Sequence, residues 1–162
     1  MIKHLRIDNR LIHGQVAIAW LKYISAKAII IANDKVAKDP IQKMALPLAA
    51  RGSNVLVFSI EETLAYEKEH QDEPLFVIAK FPQDALDILK SGVKIESINV
   101  GNAAAIAGTK YVMVTKSIAA TKEDAEVYRQ IAELNGGKLT SQIMPYNGIS
   151  DFLADLKKAK LL

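Results

Sequence analysis

The chain has 162 residues, 50% of them hydrophobic and 24% charged. That balance excludes a disordered or fibrous protein and makes a single domain spanning residues 1–162 the expectation. It contains no cysteine, so disulfides and thiolate metal sites are excluded. Its formal charge of +3 is well short of the concentrated basic fields that announce nucleic-acid binding.

In chain order, short apolar β-branched runs alternate with longer segments of helical period. Strands are expected at residues 2–7, 28–33, 54–58, 75–79, 95–100, 110–118 and 138–144. This alternation predicts an α/β fold, an open and mostly parallel sheet of about seven strands with helices in the gaps. Charge at Lys3 and Arg6 interrupts what would be the apolar region of a signal peptide, so export by that route is not expected. The apolar runs end early, at Lys22 and at Asn33-Asp34, far below the roughly 20 residues that cross a bilayer. These features fit a cytoplasmic location.

Helix starts are marked by Ser59 with Glu62, by Thr121 with Asp124, and by Pro82 at a first helical position; Gly92 and Gly136 mark helix stops. Residues 101–109 are too few, and too rich in Gly and Ala, for a helical crossover. The 110–118 strand is therefore expected to run antiparallel to its predecessor. Lys157, Lys158 and Lys160 fall in the last turns of a C-terminal helix, where cations suit the dipole.

In an open α/β sheet ligands bind beyond the carboxyl ends of the strands, so the residues following each strand carry the chemistry. After the first strand comes Arg6-Ile7-Asp8-Asn9-Arg10-Leu11-Ile12-His13-Gly14-Gln15-Val16, with helical spacing from about Gln15. His13 thus falls at or just before a helix start, where free N–H groups and the dipole favour a neutral imidazole and a bound anion. Arg6 and Arg10 bracket the loop with guanidinium groups suited to phosphate oxygens, and Asp8 can orient an arginine or the imidazole. Gly14 allows close approach to the ring.

Chemistry alone leaves two readings of this loop: a phosphoryl-accepting histidine, or an ordinary loop histidine beside surface ion pairs. Leu11 and Ile12 are likewise open, as an exposed docking surface with Arg10 or as residues that pin the loop to the core. His4, alternating within the first strand, and His70, ending a charged helix, read as structural or solvent-facing. The three histidines lack metal-ligand spacing. No phosphate-binding Gly-x-x-x-x-Gly-Lys loop or dinucleotide glycine pattern is present. The segment after the third strand, Phe58-Ser59, lacks the aspartate of a receiver domain.

The segment from Arg6 to Val16 resembles the signature of the IIB subunits of the mannose/fructose/sorbose class of bacterial phosphoenolpyruvate-dependent sugar phosphotransferase systems (PTS). The likeness extends through Asn33-Asp34 to Asp39, Ala79-Lys80-Phe81-Pro82, Asn99-Val100-Gly101-Asn102, Thr121 to Asp124, and Met144-Pro145. It covers nearly the whole chain.

The resemblance implies a Rossmann-like sheet and a cytoplasmic phosphocarrier that visits the membrane through its permease. His13 would take phosphate from a IIA protein, expected on Nδ1, and pass it to a sugar held by a IIC/IID complex, with no cofactor and no metal. Arg6, Asp8 and Arg10 carry over as the charged frame, and Gly14 and Gln15 as the start of the helix. The fourth and fifth strands should lie beside the first, so that Lys80, Phe81, Gly101 and Asn102 flank the loop and help bind it or the phosphate. The fifth-strand loop departs from the family at Ala103-Ala104-Ala105. The later half leans towards subunits for N-acetylgalactosamine or galactosamine. Two other functions fit the same fold: a small-molecule-binding domain without covalent chemistry, and a regulatory phosphohistidine domain that serves no transporter.

Overall fold

The computed structural model describes residues 1–162. Nine strands and seven helices follow in the order β1 (Ile2–Asp8), α1 (Val16–Ile24), β2 (Ile29–Ala32), α2 (Asp34–Lys38), α3 (Pro40–Ala49), β3 (Val55–Phe58), α4 (Ile60–Glu69), β4 (Leu75–Ala79), α5 (Pro82–Lys90), β5 (Ile98–Asn102), β6 (Val112–Met113), β7 (Ala119–Ala120), α6 (Lys122–Leu134), β8 (Thr140–Ser141), β9 (Ser150–Asp151) and α7 (Phe152–Lys158). Seven strands form one sheet in the order β3-β2-β4-β1-β5-β8-β9. Every pairing in it is parallel except β8 with β9. The fold is therefore the expected α/β architecture, with β4 and β5 on either side of β1.

Strand alternation divides the core in two. Leu5 and Ile7 of β1, Ile30 and Ala32 of β2, and Val77 and Ala79 of β4 join one cluster of 22 buried residues, with Ala85, Leu86 and Ile88 of α5 and Tyr128 and Ile131 of α6. The alternate positions Ile29 and Ile31 of β2 and Phe76 and Ile78 of β4 join a second cluster of 13, with Ala17, Trp20 and Ile24 of α1. Helix α1 thus leaves β1 towards one face and α5 leaves β4 towards the other. That divergence is a topological switch point, where open α/β sheets place their ligands.

The capping pairs form as their sequence suggests. Ser59 N donates to Glu62 and Glu62 N to Ser59 Oγ, each at 3.0 Å; Thr121 and Asp124 exchange the same bonds at 2.9 and 3.0 Å. Pro82 opens α5.

Two strand expectations need correction. The 110–118 run is not a member of the sheet, because its polar Thr115-Lys116-Ser117 step makes a turn in which Val114 N and Thr115 N both donate to Ile118 O, at 2.8 and 3.2 Å. The run folds back on itself, and β6 pairs with β7 as a separate antiparallel ribbon whose outer residues Val112 and Met113 are exposed. Its backbone joins the end of β5 through a parallel bridge between Ala103 and Ile118. The antiparallel member of the sheet is β9, which the sequence pattern did not mark. The fifth strand starts at Ile98 instead of residue 95.

His4 is structural. It is buried and stacked on Trp20 with ring centroids 4.4 Å apart, and its Nδ1 lies 3.0 Å from Ser97 Oγ. Burial, and secondarily the charge of Arg6, push its pKa down to about 3 from 6.5. The imidazole is therefore neutral in the folded chain and protonates first in the unfolded one, so stability falls as pH drops below about 6.5. Wild-type protein is expected to lose about 2 kcal/mol more than His4→Phe between pH 7 and pH 5 in urea titrations, at up to about 1.4 kcal/mol per pH unit. Parallel curves for the two proteins would contradict this account of His4.

Candidate functional site

The polar positions of β1 rise along one face of the strand: His4, Arg6 and Asp8. Arg6 is buried to 1% exposure. Its Nη1 donates to Gln142 O at 2.9 Å, its Nε donates to Asp8 Oδ2 at 3.3 Å, and Nη2 lies 3.3 Å from the same oxygen. Trp20 of α1 covers the guanidinium, whose Cζ is 5.7 Å from the ring centroid. Gly101 leaves the space on the β5 side: a Cβ there would fall 2.0 Å from Arg6 Cζ. Burial lowers the pKa of Arg6, and the carboxylate of Asp8 opposes that shift.

Asp8 is also buried, and it divides its oxygens between the two arginines. Oδ2 serves Arg6, while Oδ1 accepts from the backbone N of Arg10 at 3.0 Å and lies 3.7 Å from Arg10 Nε. The Arg10 side chain is 31% exposed. The donors and acceptors around Asn102 assign its amide oxygen to the Arg10 side, where it accepts from Arg10 Nε at 2.9 Å and from Ala103 N at 3.2 Å while the amide nitrogen donates to Ser117 O at 3.1 Å. Asn9 makes a second link, exchanging two 2.9 Å bonds with the backbone of Ala104.

Beyond Arg10 the loop turns sharply. Leu11 has φ of 60° and Gly14 φ of 54°, the left-handed region that costs a leucine energy and a glycine almost none. Leu11 and Ile12 are buried in the α1-side cluster, which pays for the turn. The docking alternative for these two side chains is thereby corrected: they pin the loop. His13, Gly14 and Gln15 are exposed, and His13 O accepts from Val16 N at the start of α1. Gln15 is the N-cap residue without a side-chain cap bond, which leaves first-turn N–H groups of α1 without that partner.

Arg6, Asp8, Arg10, Gly101 and Asn102 therefore converge beside the loop that presents His13. Lys80 and Phe81 follow β4, the neighbour of β1, and touch none of these side chains through a hydrogen bond or ion pair. With Asn9 of the loop, Ala103, Ala104, Ile106 and Tyr111 they line a cleft of about 160 Å³ that adjoins the loop, and Lys80 Nζ lies 5.2 Å from the Phe81 ring. No group of three or more His, Cys, Asp or Glu side chains is placed to hold a metal ion. Sequence reasoning missed Gln142, Trp20 and Ser117. Gln142 follows β8, and a reading of residues after strand ends would have reached it; Trp20 was visible only as a helical apolar position.

Fold and site together define a doubly wound α/β domain in which the loop after β1 carries an exposed histidine and a buried arginine–aspartate pair lies at the end of that strand. The family model for the PTS system sorbose subfamily IIB component matches residues 2–162, and the chain belongs to that family. The sorbose-specific EIIB component of Klebsiella pneumoniae is 37% identical over 142 residues, 86% of this chain and 85% of that protein. The N-acetylgalactosamine-specific IIB component 2 of Escherichia coli is 34% identical over 70% of this chain and 73% of its own length. The crystal structure of the IIBSor domain of the Klebsiella pneumoniae sorbose permease superposes with a TM-score of 0.88 at 33% identity, covering 98% of this chain and 97% of that one.

The packing of Gly101 against Arg6 yields a test of the network. Gly101→Ala is expected to displace the guanidinium and lower stability by about 3 kcal/mol or more, since it combines overpacking with a disturbed buried ion pair. A loss below about 1 kcal/mol in urea titration would show that Arg6 can vacate this position cheaply.

Proposed function

We propose that this chain is a phosphocarrier of a sugar PTS, taking a phosphoryl group on His13 from a IIA protein and handing it to a sugar entering through a IIC/IID membrane complex. The observation that carries this reading is the placement of His13: exposed, just before α1, on the same loop as Arg10, which is anchored on its inner side and partly open to solvent. Family membership supports it. A mannose-specific EIIAB component of Escherichia coli, 31% identical over 78% of this chain, has by its name IIA and IIB in one protein, in keeping with a IIA donor.

The chemistry is two in-line displacements. A nitrogen lone pair of His13, expected on Nδ1, attacks phosphorus as the P–N bond to the donor histidine breaks; the His13 ring gives up its N–H proton and the donor ring takes one up, by way of solvent. A sugar hydroxyl then attacks, the P–N bond to His13 breaks, and the hydroxyl proton passes by way of solvent to the released imidazole, which returns to its neutral form. Such transfer depends on positioning and on fixed donors for the equatorial oxygens, so Arg10, with the N–H groups near Gly14 and Gln15, supplies the charge and Asp8 holds Arg10. Arg6 supports from below. No helix is long and apolar enough to cross a membrane, so contact with the permease is by docking in this reading. The sugar is a hexose or amino sugar. Relatives named for sorbose and for N-acetylgalactosamine stand at 37% and 34% identity, so both head the assay, with N-acetylgalactosamine or galactosamine favoured from the later half of the chain.

Incubation with the general phosphotransfer proteins and a IIA protein is expected to add one acid-labile phosphoryl group, on His13 alone. His13→Ala should abolish this while keeping the melting temperature, because the side chain is exposed. Arg10→Ala should slow transfer roughly ten- to a hundredfold, from a charged hydrogen bond of about 1.5–3 kcal/mol, and Arg10→Lys should recover part of the rate. Phosphate mapped to His4 or His70, or a wild-type rate in Arg10→Ala by rapid quench, would overturn the respective assignment.

A further inference from the structure

We infer that Asn102 is a positioning residue for Arg10, and that the end of β5 aims the guanidinium that meets the transferred group. This rests on the phosphocarrier reading and deepens it. Asn102 is 5% exposed, so its amide is too enclosed to serve as an open phosphate ligand itself. Its polar atoms are spent internally, with the oxygen on Arg10 Nε and Ala103 N and the nitrogen on Ser117 O.

The direction of these bonds matters. A guanidinium carries five N–H donors in one rigid plane, a single one on Nε and four on the two Nη atoms. Asn102 accepts from Nε, and Asp8 Oδ1 stands on the same Nε. One hydrogen bond to Asn102 and the nearby Asp8 charge hold the Nε side of the group and leave the Nη edge, which matches two phosphate oxygens, for an incoming ligand. Without Asn102 the only side-chain anchor on Nε is the 3.7 Å approach of Asp8, beyond hydrogen-bond length, and the long side chain regains rotamer freedom.

The amide also reaches the other way. Through Ser117 O it ties Arg10 to the turn that closes the 103–118 excursion, and Ala103 N donates to the same carbonyl at 3.0 Å. Asn9 secures the neighbouring residue of the strip on Ala104. The loop after β1 and the excursion after β5 are thereby one unit, and Asn102 is the member that contacts the functional arginine.

Two measurements test the assignment. In wild-type protein, the Arg10 Nε–H resonance is expected to exchange with water markedly more slowly than that of the exposed Arg51; equal exchange overturns the clamp whatever the variants do. In rapid-quench transfer from a phosphorylated sorbose-class IIA protein, Asn102→Ala is expected to be slowed roughly ten- to thirtyfold in maximal rate, as for loss of one hydrogen bond to a charged group, with half-saturation by the donor little changed. In an Arg10→Ala background the same substitution should cost less than about twofold, because the residue acts only through Arg10. An equal loss in both backgrounds, or no loss in either, overturns the assignment. Wild-type protein that takes no phosphate defeats the phosphocarrier reading itself; wild-type transfer unaffected by Asn102→Ala defeats this inference alone.

Discussion

A guanidinium buried in the middle of a sheet imposes demands on everything around it. Arg6 occupies the central strand, and four other parts of the chain answer its charge or its bulk: Asp8 with a carboxylate, Gln142 with a carbonyl, Trp20 with an aromatic face and Gly101 with the absence of a side chain. A buried ion pair of this kind adds little net stability over an apolar pair of the same shape, because desolvation offsets most of the attraction. Its effect here is to select an arrangement. Arg6 faces Asn99 across the β1–β5 ladder. A one-residue slip of β1 would turn the guanidinium into the apolar cluster of α5 and α6, where no partner waits.

The same network organises charge outward. Asp8 holds one arginine on each oxygen, the inner one enclosed and the outer one half-open, so two cations and one anion leave the end of β1 and its loop with a net positive charge. Because the inner pair lies out of water, salt screens it weakly; the outer arginine, closer to solvent, is screened more. The arrangement therefore separates a part that maintains geometry from a part that faces solvent, using residues two apart on one strand and its extension.

Much of this was legible because period 2 exposes it. Arg6 and Asp8 share a strand face and Arg10 lies at the next such step, so their convergence could be read from spacing, as could the runs that became β1 to β4. The family signature supplied the neighbourhood of Gly101 and Asn102. Other features left no trace. The carbonyl of Gln142 receives two buried donors, from Arg6 and Asn99, yet a backbone acceptor has no side-chain signature. The run at 110–118 has strand composition and still folds into a ribbon, since a three-residue polar turn outweighed β propensity. Leu11 looked equally suited to surface or core, and its positive φ, set by tertiary packing, decided for the core.

That backbone setting has a kinetic meaning. With Leu11 and Ile12 anchored beneath it and left-handed residues on either side, the main chain at His13 is arranged when the protein folds, before any encounter. A partner that approaches meets an imidazole with only its own two torsions left to adjust. Recognition then becomes a rigid-body orientation search, governed by surface shape and ionic strength instead of by loop rearrangement. In the proposed phosphocarrier role, two unlike partners would use such a fixed post in turn, each bringing its own complementary surface to it.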